Sequence, residues 1–102
     1  MAAALVDYGS GMALGTVGSG VDLELAAAEN SDVVRAKMKT MKMLGIQGEI
    51  EDILITLQTQ YHIIYTVPHL PLFLYLALAK DKTNLALSHY KIKALTKNIS
   101  IT

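Results

Sequence analysis

Hydrophobic and polar positions over residues 49–93 follow the pattern of three short strands and a helix. Ile50–Leu57 and Tyr61–Val67 are rich in β-branched and aromatic residues, whereas Leu72–Ala79 is almost continuously apolar. Because an uninterrupted apolar run is typical of a strand that is buried on both faces, Leu72–Ala79 is predicted to be central. Asn84 can cap a following helix, whose inner face is predicted to hold Leu85, Ile92, Leu95 and Ile99.

The first half of the chain predicts a hairpin followed by a long helix. Ala2–Asp7 and Met12–Val17 are apolar runs that are separated by a turn of Gly, Asp and Ser residues. Val21–Leu44 has a helical period, with acidic residues early and basic residues late, which matches the helix dipole. Ser31 would be an adequate cap for a second helix, but one continuous helix is preferred. Its main apolar face is predicted to hold Leu23, Ala26, Ala27, Val34, Met38, Met41 and Leu44.

The predicted element order is therefore β-β-α-β-β-β-α. The long helix also carries Leu25, Ala36 and Met43 roughly opposite its main apolar face. These residues either meet a second protein or are scattered exposed side chains, which are common. The methionines of the helix suit an adaptable contact face and ordinary core filling equally well.

Composition and charge limit the class of protein. A chain of 102 residues predicts one domain, residues 1–102, and its 52% apolar content suggests that a partner covers part of the surface. The charges sum to −5 over residues 1–34 and to +5 over residues 35–102, which is too weak a basic surface for nucleic-acid binding. There is no cysteine, no stretch long enough to cross a bilayer and no basic leader. We therefore expect a cytoplasmic protein without membrane insertion.

The sequence shows no constellation of catalytic or metal-binding residues. The two Gly-Ser-Gly segments, at Gly9 and Gly18, complete neither a dinucleotide nor a P-loop motif, so they are interpreted as turns. His62, His69 and His89 are scattered singly, and a metal site needs several donors that converge. We therefore predict no catalytic residue, no metal and no cofactor, and we expect that the protein is not an enzyme.

Two long segments carry a family resemblance. RAKMKTMKMLGIQGEIEDILITLQTQYHIIYTV spans the end of the long helix and two strands, and LFLYLALAKDKTNLALSHYKIKAL spans a strand, a charged turn and the last helix. Together with ALVDYGSGMALG as the first hairpin, these segments resemble the roadblock family, the dynein light-chain roadblock domain and its bacterial relatives. The resemblance implies an α+β fold. A five-stranded antiparallel sheet would carry the long helix on one face and the C-terminal helix on the other.

The same resemblance implies a dimer that forms through the long helix and the third strand and joins two sheets into one. Bacterial members of the family often act beside small Ras-like GTPases as regulators or scaffolds, so we expect a non-enzymatic homodimer with a possible GTPase partner. The interface is expected to use Val34, Met38, Met41, Ile50, Asp52, Leu54 and Thr56.

One departure from the family and one alternative remain. Family members usually begin with a helix before the first strand, whereas in this chain the first predicted strand follows Met1 directly. The sheet face that such a helix covers would then be open to a partner, unless the start codon is misplaced or the fold has adapted. The alternative function is a small-ligand sensor with a pocket between sheet and helix, which requires an apolar cavity with a few polar groups.

Overall fold

A computed structural model describes the fold of residues 1–99. Its strands are β1 (Ala2–Asp7), β2 (Met12–Gly18), β3 (Asp52–Thr56), β4 (Gln60–Thr66) and β5 (Leu72–Ala79). Its α-helices are α1 (Leu23–Met43) and α2 (Leu85–Lys97), and a short 3₁₀ turn, Lys80–Lys82, precedes α2. The strands form one antiparallel sheet in the order β2-β1-β5-β4-β3. The predicted element order and the antiparallel sheet are confirmed.

The β1–β2 hairpin forms where the turn residues predicted it. The Asp7 carboxylate accepts hydrogen bonds from the backbone N–H groups of Gly9 at 2.8 Å and Ser10 at 3.4 Å. A short polar side chain that bonds the backbone two residues later is a common device for a tight turn. The register between the two strands shifts between Leu5 and Val6, so β2 carries one extra residue, Leu14.

The strand β5 lies in the middle of the sheet, between β1 and β4. Helices cover both faces of the sheet, so successive side chains of β5 are buried in alternate directions. Phe73 and Tyr75 belong to the cluster that contacts α1, whereas Leu76 and Leu78 belong to the cluster on the α2 side. This two-sided burial is the physical reason for the continuous apolar run in the sequence.

The helix α1 is continuous, as preferred from the sequence. Asp22 caps it by accepting a hydrogen bond from the N–H of Leu25 at 3.1 Å. Ser31 does not start a second helix. Its hydroxyl donates to the carbonyl of Ala27 at 2.6 Å, which allows a fully buried serine to sit against the sheet. Three residues predicted to lie opposite the main face, Leu25, Ala36 and Met43, are all exposed.

The helix α2 begins with the predicted cap, since Asn84 accepts from the N–H of Leu87 at 3.0 Å. Leu85 and Ile92 pack on the sheet as expected, but Leu95 is 56% exposed, so its predicted place on the inner face is wrong. Thr96 is buried instead, because at 100° per residue it lies on the same side of the helix as Leu85 and Ile92, whereas Leu95 lies at the margin of that side.

The two helices cover different parts of the sheet. α1 packs mainly over β1 and β2 on one face, and α2 packs mainly over β4 on the other. The predicted arrangement, with one helix on each face, is confirmed. Within residues 1–99, no helix is long and apolar enough to cross a membrane.

Candidate interaction surface

The strand β3 forms an open and regular edge of the sheet. Within residues 1–99 it pairs only with β4, and its register runs without a shift from Asp52 to Thr56. The other edge strand, β2, is irregular because it contains the bulge and two glycines, Gly15 and Gly18. Bulges blunt sheet edges against pairing, whereas a regular edge offers free backbone groups to another strand.

The ladder between β3 and β4 defines which backbone groups of β3 are free. The N–H of Thr66 donates to the carbonyl of Glu51 at 3.1 Å, and the N–H of Leu57 donates to the carbonyl of Gln60 at 2.9 Å. In an antiparallel pair such bonds recur at every second residue, so residues 51, 53, 55 and 57 direct their backbone groups toward β4. The residues between them direct their N–H and C=O groups to the free edge, and these are Asp52, Leu54 and Thr56.

The side chains of β3 alternate between the two faces of the sheet. Ile53 packs against the α1-side core, and Ile55, two residues later, lies on the same face. Asp52 contacts α2, so Leu54 and Thr56 lie on the α2 side. Leu54 is 46% exposed and Ile55 is 37% exposed, which makes this edge unusually apolar for a position in contact with water.

One flank of α1 faces the uncovered part of β3. The guanidinium of Arg35 bonds the carbonyl of Tyr8, so the flank that carries Arg35 faces the hairpin. Val33 and Lys37 lie on the opposite flank, at the 100° per residue of an α-helix. Because α1 lies mainly over β1 and β2, it leaves this flank and part of β3 exposed. We call the two together the β3–α1 surface and define it as Val33, Lys37, Ile53 and Ile55.

The structure places the expected interface residues in three locations. Val34 is 0% exposed beneath α1, so it is a core residue that supports the helix. The other helical residues, Met38 and Met41, line a cleft together with Ile50. Asp52, Leu54 and Thr56 present backbone groups to the free edge, while their side chains lie on the face opposite α1. The expected residues therefore do not form one continuous side-chain surface.

Sequence reasoning missed Val33 and Ile55 on the β3–α1 surface. Val33 is 42% exposed although it neighbours the fully buried Val34. Both valines fit an apolar helical stripe, and the contact between Arg35 and the hairpin decides how the helix is rotated. The alternation of side chains along a strand was the available signal for Ile55, since it places the isoleucines at positions 53 and 55 on one face.

The cleft has a volume of about 390 Å³ and lies between the C-terminal half of α1, the loop before β3 and the turn after β4. We call it the α1 cleft. Its lining is mainly apolar, with polar side chains near the mouth. The lining residues are Tyr8, Val34, Met38, Met41, Lys42, Ile46, Gln47, Gly48, Glu49, Ile50, Thr66, Val67 and Leu70.

A chain of hydrogen bonds lies behind β3 on the α1 side. His62 is the cross-strand partner of Ile55, and its Nε2 lies 2.7 Å from Oε1 of Gln60, which can only accept. Its Nδ1 lies 3.1 Å from the hydroxyl of buried Tyr75, so the neutral imidazole is satisfied at both nitrogens. Burial lowers the pKa of His62 and raises the pKa of Tyr75, which keeps both groups uncharged near neutral pH.

On the other face, polar contacts attach α2 to the beginning of β3. The Nδ1 atom of His89 lies 3.3 Å from a carboxylate oxygen of Asp52 and 3.2 Å from the hydroxyl of Tyr65. Lys93 pairs with Glu51 at 3.1 Å. Burial, followed by the charge of Asp52, raises the pKa of Tyr65. The edge strand and α2 are therefore connected through charges as well as through packing.

The potential metal ligands are dispersed over the described part of the chain. Among residues 1–99, no group of three or more His, Cys, Asp or Glu side chains could hold a metal ion. The first Gly-Ser-Gly segment forms the hairpin turn, where Gly11 has a φ of 78°. These residues form the turn. The β3 edge and the β3–α1 surface offer backbone pairing and apolar contact.

Comparison with known proteins supports the fold. No protein-family model and no curated protein matches the sequence at a significant level. Solved structures match closely in shape. MglB of Myxococcus xanthus superimposes with a TM-score of 0.81 at 20% identity, over 93% of this chain and 76% of that chain.

Two further structures give the same result. A Roadblock/LC7 domain from Streptomyces avermitilis matches with a TM-score of 0.79 at 20% identity, over 94% of this chain and 78% of that one. An MglB described with a tetrameric arrangement matches with a TM-score of 0.79 at 15% identity, over 94% of this chain and 71% of that one. The chain therefore has the roadblock/LC7 fold, as the resemblance in its sequence predicted.

Proposed function

We propose that this chain, residues 1–102 as one domain, is a non-enzymatic, dimer-forming scaffold or regulatory module that acts with a small Ras-like GTPase in the cytoplasm. The observation that carries the proposal is the regular free edge of β3 beside the apolar β3–α1 surface. The edge supplies backbone hydrogen bonds and the surface supplies apolar burial. A contact in which two sheets join edge to edge needs both.

In the proposed dimer, two copies of β3 run antiparallel across a two-fold axis. Such an interface is self-complementary, because each copy contributes the same residues. The outward backbone groups of Asp52, Leu54 and Thr56 pair with those of the other copy. Ile53 and Ile55 of the two copies then approach each other on the α1 side, where Val33 extends the apolar contact.

Sedimentation velocity over micromolar concentrations tests the dimer. We expect the native chain to sediment as a dimer and Ile55→Asp to sediment as a monomer, since the substitution places a charge in the centre of the apolar contact. Val17→Asp is the matched control, because Val17 is also exposed but lies on the opposite edge strand. A native chain that remains monomeric, or a control that dissociates as Ile55→Asp does, would contradict the dimer.

The GTPase partner rests on the family resemblance and on the likeness in fold, and not on a feature of the surface. Affinity purification from the source cell with mass spectrometry identifies a partner directly. We expect a small GTPase to be recovered with the native chain, and its rate of GTP hydrolysis to change when the purified chain is added. If no GTPase is recovered with the native chain, and none is recovered when the purification is repeated with the Ile55→Asp monomer, this part of the proposal is rejected.

A second candidate function is favoured by one observation. The α1 cleft, at about 390 Å³, falls within the range of roughly 300–1,000 Å³ that is usual for small-ligand pockets. It lies between helix and sheet, where the alternative from the sequence, a small-ligand sensor, requires a pocket. A chain that binds a ligand at this cleft while it dimerises through β3 would combine the two functions.

A further inference from the structure

The walls of the α1 cleft differ in stiffness. The wall that contains Ile50 and Val67 is fixed by hydrogen bonds to the backbone, because the single hydroxyl proton of Thr66 is shared between the carbonyls of Ile50 and Glu51. The N–H of Val67 also donates to the carbonyl of Leu72 at 2.9 Å. The opposite wall consists of methionine side chains from α1, which can adjust to the shape of a bound molecule. The cleft is therefore preformed on one side and adaptable on the other.

The interior of the cleft favours an apolar ligand. Much of its lining consists of aliphatic and methionine side chains, namely Met38, Met41, Ile46, Ile50, Val67 and Leu70. The ring of Tyr8 is held by stacking on Phe73, with ring centroids 6.4 Å apart. An apolar cavity of about 150 Å³ holds one benzene molecule, so this cleft accommodates roughly two to three times as many carbon atoms.

The mouth of the cleft carries one acid and one base with different surroundings. Glu49 has the imidazole of His69 as a neighbour at 4.0 Å. Lys42 forms no ion pair within residues 1–99, and the hydroxyl of Tyr8 forms no hydrogen bond there. Among the residues that the structure describes, these two donors have no protein partner and lie beside apolar lining residues, and an anionic headgroup complements them.

We propose that the α1 cleft binds a medium-chain carboxylate. The hydrocarbon chain lies along Met38, Met41 and Ile50, and the carboxylate accepts hydrogen bonds from Nζ of Lys42 and from the hydroxyl of Tyr8. The inference deepens the second candidate function, on which it rests, by naming the ligand class. The dimer proposed above uses other residues, namely those of the β3–α1 surface and the free edge of β3.

Calorimetric titration with octanoate, below the concentration at which it forms micelles, tests the ligand class. We expect octanoate to bind the native chain and Lys42→Gln to weaken binding about tenfold, as befits one charge-assisted hydrogen bond at a partly exposed site. Octanol, which has the same chain length without the charge, should bind more weakly and should not respond to Lys42→Gln. Lys39→Gln is the matched control, because Lys39 lies on the same helix but outside the cleft.

Methyl NMR of methionine-labelled protein locates the bound molecule. Octanoate should shift the signals of Met38 and Met41, while Met12 and Met43, which lie outside the cleft, serve as internal controls. Ile46→Trp, which fills the cleft from a half-exposed position, should abolish both the heat of binding and these shifts. Shifts of equal size at all four methionines would show nonspecific binding and would overturn the proposal.

The outcomes separate the inference from the function on which it rests. If octanol binds and octanoate does not, the cleft takes another ligand class, so the inference fails while the sensor function stands. If neither compound binds, both fail. If binding appears only after Leu54→Pro blocks pairing at the β3 edge, a second copy of the chain fills the cleft and both are overturned.

Discussion

Proline at position 54 should separate the dimer from the fold. The N–H of Leu54 points to the free edge of β3 and is not part of the ladder to β4, so Leu54→Pro removes no hydrogen bond within the sheet. The side chain of Leu54 is 46% exposed on the α2 side, and its loss leaves no buried cavity. Proline is tolerated on edge strands where its missing N–H faces outward.

The expected magnitude follows from the outward groups of β3. In a pairing centred on Leu54, residues 52, 54 and 56 of each copy face residues 56, 54 and 52 of the other, and each facing pair exchanges two N–H···O bonds. The three facing pairs thus form about six bonds. Leu54→Pro, present in both copies, removes two of them and leaves two carbonyls without donors. At about 1–3 kcal/mol for each unsatisfied group, dimerisation weakens by about 2–6 kcal/mol, or roughly 30- to 20,000-fold in the dissociation constant.

Analytical ultracentrifugation over a concentration series measures this dissociation constant. Leu54→Ala is the control, since it removes the same side chain but keeps the N–H group, and it should dimerise almost as the native chain does. Circular dichroism and thermal denaturation should show that both variants are folded. A folded Leu54→Pro chain that dimerises with native affinity would refute the placement of the seam at β3.

Three further predictions concern stability. Phe73→Ala, at a fully buried position of β5, should lower the free energy of unfolding by about 3–5 kcal/mol in a urea titration, with Leu87→Ala on the exposed face of α2 as a near-neutral control. Gly18→Ala should lower the free energy of unfolding by about 1–3 kcal/mol or more, because φ is +90° there and an added Cβ would lie 2.2 Å from the carbonyl oxygen of Met1. Gly15→Ala, with open space around it, should lower the free energy of unfolding far less in the same titration. Burial lowers the pKa of His62, so its contribution to stability is present above the unfolded-state pKa of about 6.5 and is lost as the pH falls through the lower folded-state pKa. His62→Gln should flatten the stability profile at acidic pH, and an unchanged profile would assign the acid sensitivity to other groups.

The local pattern of the sequence was sufficient to predict the elements and their order, whereas their arrangement in one sheet with a helix on each face was implied by the family resemblance. The apolar run Leu72–Ala79 required burial on two faces, and the predicted cap Asn84 marks the start of α2 in the structure. The long helix was predicted from Val21 but begins at Leu23, after the cap Asp22. Ile50–Leu57 was predicted longer than the observed β3, which spans Asp52–Thr56. The residues lost at each end lie where pairing with β4 gives way to loops.

The rotation of the helices could not be predicted, because it depends on partners from distant parts of the chain. In α2, the apolar stripe through Leu95 and the mixed stripe through His89 and Thr96 are both compatible with a helical period. The structure selects the mixed stripe, since Tyr65 supplies a hydrogen-bond partner for His89 and the carboxylate of Asp52 lies 3.3 Å from the same ring nitrogen. In α1, the contact between Arg35 and the hairpin likewise directs Val34 inward and Val33 outward.

The irregular strand β2 has a consequence for the size of any assembly built from this chain. Joining two copies through β3 uses the regular edge of each and leaves a β2 edge at both ends of the combined sheet. The bulge and the glycines of β2 make those ends poor templates for a third copy. Strand addition should therefore stop at two subunits and give a finite particle. A change that made β2 as regular as β3 would favour open-ended growth into filaments.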